Sequence, residues 1–264
     1  MGERARKYTV ITGASSGIGY ETAKAFAKRG KNLVIAARRK NNLERLKQEI
    51  LGKQPDLDIA IRSADLSVPE NVYRFYESLK GYEIETWINN AGFGSYDSVA
   101  DQDMDKIRMM LHLNIEALTI LSSLYVRDYK DVEGTQLINI SSCGGYTIVP
   151  TAVTYCATKF YVSIFTEGLA RELEEAGAKM KAKVLAPAAT KTEFGMVANN
   201  VSEYDYEKAF GTYHTSEQVA EFLLELYDSG KVVGLVDRES FCFRLAEPLF
   251  SYAGNSSHNQ QGMK

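Results

Sequence analysis

The chain of 264 residues predicts an α/β fold: a doubly wound parallel sheet of about seven strands with helices on both faces. Three observations carry this. Short β-branched runs alternate with longer stretches of helical periodicity; the runs are apolar throughout; and a glycine-rich loop joins the first run to the first helical stretch. Strands are predicted at residues 8–12, 32–37, 58–63, 86–89, 136–141, 182–186 and 232–236, and helices at 20–28, 43–51, 72–79, 104–125 and 152–176. The run Leu33-Val34-Ile35-Ala36-Ala37 has no polar alternation, as a strand covered on both faces requires. Strand–helix–strand units connect right-handed. With no Pro- or Gly-rich linker and no repeat, residues 1–250 are read as one domain, and the polar stretch 251–264 as a flexible tail. The 104–125 helix carries Met109, Leu111, Leu113, Ile115, Leu118, Ile120 and Leu121, more apolar surface than one face needs. It is either buried against the sheet or shared with a second subunit.

Composition excludes several classes. Lys and Arg number 31 against 34 Asp and Glu, a net charge of −3, so no basic excess drives nucleic-acid binding. Three cysteines suit a reducing, cytoplasmic compartment better than a disulfide framework. Three histidines do not cluster and no CxxC or HExxH spacing occurs, so no metal site is expected. No apolar run approaches membrane-spanning length, and the charged start runs into a strand and a glycine loop, unlike a signal peptide. A soluble protein with a small-molecule partner, no nucleic acid and no membrane is the expectation.

The loop Thr12-Gly13-Ala14-Ser15-Ser16-Gly17-Ile18-Gly19 follows the first strand and opens the first helix. It is either a simple glycine-rich turn or a cradle that brings a backbone against a pyrophosphate at a helix N-terminus. Its spacing is GxxxGxG and not GxGxxG. At the end of the second strand, where NAD-binding chains place an acid about 20 residues on, stands Ala36-Ala37-Arg38-Arg39-Lys40. These cations are either a solvated loop or a grip for a 2′-phosphate.

Tyr155 and Lys159 stand at i and i+4, on one helix face. A neighbouring ammonium favours the phenolate. Moving a phenol from about 10 to about 7 takes roughly 4 kcal/mol, which the lysine and a cationic nicotinamide together would supply. Tyr155 would then exchange a proton with a carbonyl or alcohol oxygen. Ser142, at the end of the fifth strand, is either a cap or a group that orients a carbonyl. Asn114 lies in an apolar helix, facing solvent or buried with its amide bonded.

Together these residues resemble the short-chain dehydrogenase/reductase family, in its single-domain branch. The resemblance runs from residue 9 to about residue 237 and rests on Thr12 to Gly19, Asp65, Asn89-Asn90-Ala91-Gly92, Asn114, Ser142, Tyr155 with Lys159, and Pro187 to Thr192, in the family's order. It implies a Rossmann-type fold and an enzyme that moves hydride between NADP(H) and a carbonyl or alcohol. Tyr155 would be the acid/base, Lys159 would lower its pKa and hold the nicotinamide ribose, Ser142 would bind the substrate oxygen, and Asn114 would complete a proton relay. Gly13, Ser15, Ser16, Gly17, Ile18 and Gly19 would form the phosphate loop, and Arg38 and Arg39 would meet the 2′-phosphate. Asp65 and Leu66 would flank the adenine, Asn90, Ala91 and Gly92 would line the groove, and Pro187, Thr190 and Thr192 would border the nicotinamide. A homodimer or homotetramer through the two long helices is also implied. Two positions depart from the family pattern: Ala188 replaces a common glycine, and Phe160 follows Lys159 where small residues are frequent.

Residues 194–214 read as a variable lid, with Phe194, Met196, Val197, Val201, Tyr204, Tyr206, Phe210 and Tyr213 either packing on one another or covering an apolar ketone or aldehyde. Phe93, Cys143, Tyr146 and Val149 are expected on the opposite wall. The competing readings are a 3-oxoacyl-thioester reductase, which should show a basic patch beside the pocket, and a non-catalytic NADP sensor, against which the retained Tyr155 and Lys159 speak.

Overall fold

The structure is a computed structural model, and it describes residues 6–253. In chain order the elements are β1 (Lys7–Thr12), α1 (Gly17–Lys28), β2 (Asn32–Ala37), α2 (Lys40–Leu51), β3 (Ile59–Ser63), α3 (Pro69–Glu77), β4 (Glu83–Asn89), α4 (Met104–Leu111), a π-helical turn (His112–Ala117), α5 (Leu118–Tyr129), β5 (Gln136–Ile140), α6 (Val153–Glu175), β6 (Lys181–Ala186), β7 (Thr190–Lys191), α7 (Phe194–Asn199), α8 (Tyr206–Phe210), β8 (His214–Thr215), α9 (Ser216–Asp228), β9 (Val233–Val236) and β10 (Phe243–Ala246). The main sheet has eight strands in the order β10-β9-β6-β5-β4-β1-β2-β3. All neighbours run parallel except β10, which pairs antiparallel with β9.

The expected count of about seven strands is therefore corrected by one. β10 is a four-residue edge strand whose Arg244 is exposed, and its turn carries no Asn-Gly or Asp-Gly signal. Instead Phe241 takes the left-handed conformation, at φ +58°. The two-residue pair β7 and β8 was likewise not anticipated.

Side-chain alternation explains why the inner strands are apolar throughout. Ile11, Ile35, Ile88 and Ile138 face one core, with Phe26, Leu43, Leu46 and Leu223 from α1, α2 and α9. Their neighbours Val10, Val34, Trp87 and Leu137 face the other, with Phe75, Tyr76, Leu121, Tyr125 and Leu173 from α3, α5 and α6. Each strand thus buries both faces.

The helical rod 104–129 bears on two expectations. By length and composition it is long and apolar enough to cross a membrane, which corrects the reading that no apolar run approaches that length. His112 and Glu116 interrupt the run in sequence, and helical continuity joins its parts. One side is core: Ile107, Met110, Leu118, Leu121 and Tyr125 are buried, whereas Met104, Met109 and Leu111 are exposed. Of the tail expected at 251–264, residues 251–253 are exposed and the rest lies outside the described residues.

Candidate active site

The sheet order reverses between β1 and β4, and open parallel sheets bind ligands beyond the strand ends at such a point. A cavity of about 880 Å3 lies there. The predicted positions Gly13, Ser15, Ser16, Gly17, Ile18, Arg38, Arg39, Asp65, Leu66, Asn90, Ala91, Gly92, Ser142, Tyr155, Lys159, Pro187, Thr190 and Thr192 all line it. Gly19 and Asn114 lie behind the wall.

At one end, backbones meet too closely for side chains. Gly13 has φ +68°, and a Cβ on it would lie 2.8 Å from Ala91 Cα; one on Gly19 would lie 2.6 Å from the Gly13 carbonyl oxygen. Thr12 Oγ1 accepts from the backbone N–H groups of Asn90 and Ala91 at 3.0 and 3.1 Å, and Asn90 Nδ2 donates to Thr12 O at 2.9 Å. The ends of β1 and β4 are thereby tied under the loop. α1 begins without a side-chain cap and without an acid in its first turn, so its N-terminal N–H groups and partial positive charge remain for an anion. Arg38 is exposed, with Nη1 4.0 Å from Asp65 Oδ2. Uncapped helix, serine hydroxyls and arginines form a donor set that fits a phosphorylated dinucleotide.

Below the strand ends runs a buried polar chain. Trp87 Nε1 donates to Asn89 Oδ1 at 2.8 Å, Asn89 Nδ2 donates to Asn139 Oδ1 and Ser122 Oγ at 2.9 and 3.1 Å, and Asn139 Nδ2 donates to Thr166 Oγ1 at 2.9 Å. It locks β4, β5, α5 and α6 in register, because each member is costly to leave unpaired.

Tyr155 stands in the first turn of α6 with Lys159 one turn on, both buried. Lys159 Nζ donates to Ile140 O at 2.9 Å and lies 6.0 Å from the Tyr155 ring centroid. Ser142 accepts from Gly144 N–H at 3.1 Å, in the turn after β5. The lowering expected of Tyr155 draws on a cationic nicotinamide as well as on Lys159, and the protein groups by themselves act the other way. Burial, with help from Tyr96, pushes the phenol above its ordinary value, and a hydrogen bond with Ser142 opposes this only in part. Burial also draws Lys159 down to about 8. The chain's own groups thus keep Tyr155 a phenol, poised as an acid, and further positive charge beside it is needed to favour the phenolate.

Asn114 resolves to the buried alternative, 1% exposed in the π turn. Its Oδ1 accepts from Phe93 N–H at 3.2 Å, and its Nδ2 donates to Phe93 O and Thr158 Oγ1 at 2.9 and 3.1 Å. A Cβ on Gly92 would lie 3.0 Å from Asn114 Oδ1 and 3.5 Å from Lys159 Nζ, so the amide and the ammonium share one neighbourhood.

The other end is aromatic. The Tyr155 ring lies 5.3 Å from Phe194 and 6.4 Å from Tyr96, and Tyr204 and Tyr206 meet edge-on at 4.9 Å. Of the expected lid residues Tyr213 alone misses the cavity, lying against Tyr206. Phe93, Cys143 and Val149 line the opposite wall, but Tyr146 does not. Its hydroxyl donates to the buried Glu167 and its ring stacks on Phe250. Phe160 also packs against Phe250, away from the site. Ala188 lines the cavity where glycine is common. Sequence reasoning missed Tyr96, Lys106 and Met109. Lys106 lines the cavity, and its Nζ donates to Val197 O and Ala198 O at 2.9 and 3.3 Å, pinning the end of α7. No local motif marks these three. Among the described residues no group of three or more His, Cys, Asp or Glu could hold a metal.

A sequence model described as short chain dehydrogenase matches residues 7–203. A human protein named dehydrogenase/reductase SDR family member 11 is 31% identical over 229 residues, 83% of this chain and 87% of that one. A short-chain dehydrogenase from Sphingobium yanoikuyae, solved in complex with NADPH, aligns with a TM-score of 0.80 at 27% identity, covering 88% of this chain and 89% of that one. A bulky-bulky ketone specific alcohol dehydrogenase from Comamonas testosteroni aligns with a TM-score of 0.73 at 27% identity, over 86% of this chain and 84% of the other.

Proposed function

The chain belongs to the short-chain dehydrogenase family, and from that premise we propose that it is an NADP(H)-dependent oxidoreductase interconverting an apolar ketone or aldehyde and its alcohol. One observation carries the reading: Tyr155, Ser142 and Lys159 stand where the glycine-loop cleft opens into the aromatic chamber, within a single cavity. A nicotinamide bound in the cleft supplies or takes the hydride. Ser142 orients the substrate oxygen by its hydroxyl. Tyr155, kept protonated by burial, gives its proton to that oxygen in the reducing direction. Lys159 would hold the nicotinamide ribose, and Asn114 fixes the Phe93 segment and Thr158. Phe194, Tyr96, Tyr204 and Phe210 exclude water and receive the apolar substrate body.

For NADP over NAD the support is local. Ala37 stands where an acid would hold ribose hydroxyls, and Arg38 beside it is exposed and directed toward Asp65. The NADPH complex of the Sphingobium relative supports the same choice. The reading extends to a homodimer or homotetramer, supported by exposed Met104, Met109, Leu111 and Ile164 on the central helices. It extends also to a cytoplasmic site, supported by the free thiols of Cys143, Cys156 and Cys242. The test is a panel of ketones and aldehydes followed at the NADPH absorbance band. Turnover with apolar members, lost in Tyr155→Phe, is expected. An inert wild-type protein that still binds NADPH would overturn the enzymatic reading.

A further inference from the structure

Arg39 follows β2 directly, yet its guanidinium does not stand open. Nη1 and Nη2 reach the two carboxylate oxygens of Glu193 at 3.1 and 2.7 Å, a fork-to-fork pair. Nη2 also donates to Ser16 Oγ at 2.7 Å, and Nε and Nη2 donate to Ser15 Oγ at 3.3 and 3.2 Å. Glu193 comes from the opposite wall, between Thr192 and the first residue of α7. Its carboxyl is held below the usual carboxylate range, first by the Arg39 hydrogen bonds and also by Ser16. Ser16 is the residue before the uncapped first turn of α1.

A carboxylate is thus seated on donors that an anionic ligand of this cleft would use, the fork of Arg39 and the hydroxyl of Ser16, beside the still uncapped start of α1. Both partners are about half exposed, Arg39 at 46% and Glu193 at 44% of the side chain, so exchange with an incoming anion costs little desolvation. Arg38 has no such partner, its nearest carboxylate oxygen being 4.0 Å away. The two adjacent arginines are therefore not equivalent.

We propose that Glu193 is an internal counter-anion: it occupies the fork of Arg39 in place of the cofactor's 2′-phosphate, is displaced when NADPH binds, and so sets how strongly the protein distinguishes NADPH from NADH. The proposal rests on the NADP reading above. Arg38 makes the first contact with the phosphate, and Arg39 changes partner. No covalent step is involved. Glu193 weakens NADPH binding by the stability of its own pair with Arg39 and leaves NADH, which does not compete for that fork, nearly untouched.

Calorimetric titration of the full chain with NADPH, NADH and 2′,5′-ADP tests this, using wild type, Glu193→Gln and Glu193→Gln combined with Arg39→Ala. Glu193→Gln should bind NADPH and 2′,5′-ADP about tenfold more tightly, on the scale of one charge-assisted hydrogen bond, with NADH changed less than about twofold. The gain should vanish in the double variant. Unchanged or weaker NADPH binding by folded Glu193→Gln would overturn the proposal, as would an equal gain for NADH. A wild-type preference for NADH would instead defeat the NADP reading, and the ratio of variant to wild type for 2′,5′-ADP would still decide the role of Glu193.

Discussion

The two ends of the cleft are built on different principles. The nucleotide end is made of backbone: Gly13 and Gly19 let β1, α1 and the Asn90 segment approach to distances no Cβ allows, and the Asn89–Asn139–Thr166 chain holds that approach rigid. The substrate end is made of side chains: Tyr96, Phe194 of α7, and Tyr204, Tyr206 and Phe210 on and just before α8 pack on one another. A backbone cradle tolerates almost no substitution and accepts one ligand shape. An aromatic chamber repacks, and its selectivity is adjustable position by position. Tyr155 belongs to both, its hydroxyl beside Ser142 and its ring against Phe194.

Breaking that shared residue should have the largest effect. Tyr155→Phe is expected to lower turnover roughly a thousandfold while NADPH affinity, read by fluorescence, changes less than about twofold. A parallel loss of affinity would mean that the two ends are not separable. Next comes the cradle. Gly19→Ala forces a methyl group against the Gly13 carbonyl and should cost about 1–3 kcal/mol of stability, seen in urea unfolding, together with NADPH affinity. The arginine edge sharpens the contrast further: Arg38→Ala should weaken NADPH roughly tenfold or more and leave NADH nearly unchanged, whereas equal losses would place the 2′-phosphate elsewhere. At the substrate end, Phe210→Ala should raise KM for a large apolar ketone by about tenfold without altering NADPH binding.

The smallest effect is one of pH. Lys159 gives up its proton near 8 in the folded chain, below its ordinary value of 10.5, because burial penalises the ammonium. Between those values the unfolded chain binds more protons, so stability should rise with pH across that window. Lys159→Met should flatten the rise, as measured by urea midpoints from pH 7 to 10.

The nucleotide end could be read from the sequence because its physics is local. A left-handed glycine, a helix start, and a tyrosine with a lysine one turn later are each specified within a few residues, and so is the apolar run of a strand covered on both faces. What could not be read depends on distant partners. Tyr96, Lys106 and Glu193 gain meaning only when α7 folds over the cleft. Tyr146 was expected on the pocket wall, but the buried carboxylate of Glu167 draws it to the other side. Glu167 Oε2 also accepts from the backbone N–H groups of Leu249 and Phe250, more than 80 residues away in the chain. The push of burial on the Tyr155 phenol lay out of reach for a related reason. An i, i+4 spacing shows the ammonium, but not how deeply the fold buries the phenol beside it.

The turn at His112–Ala117 carries one more residue than an α-helical turn needs. Such an irregularity is a stored insertion, absorbed within one wide turn. Deleting a single residue there would let the ladder close regularly from Met104 to Tyr129 and give a smoother rod. The faces of α4 and α5 would stay where they are, and the place of the amide within the turn would be lost. The imperfect helix is therefore the one that can aim Asn114 inward, and a change that mended it would leave Phe93 and Thr158 facing the wrong side chain.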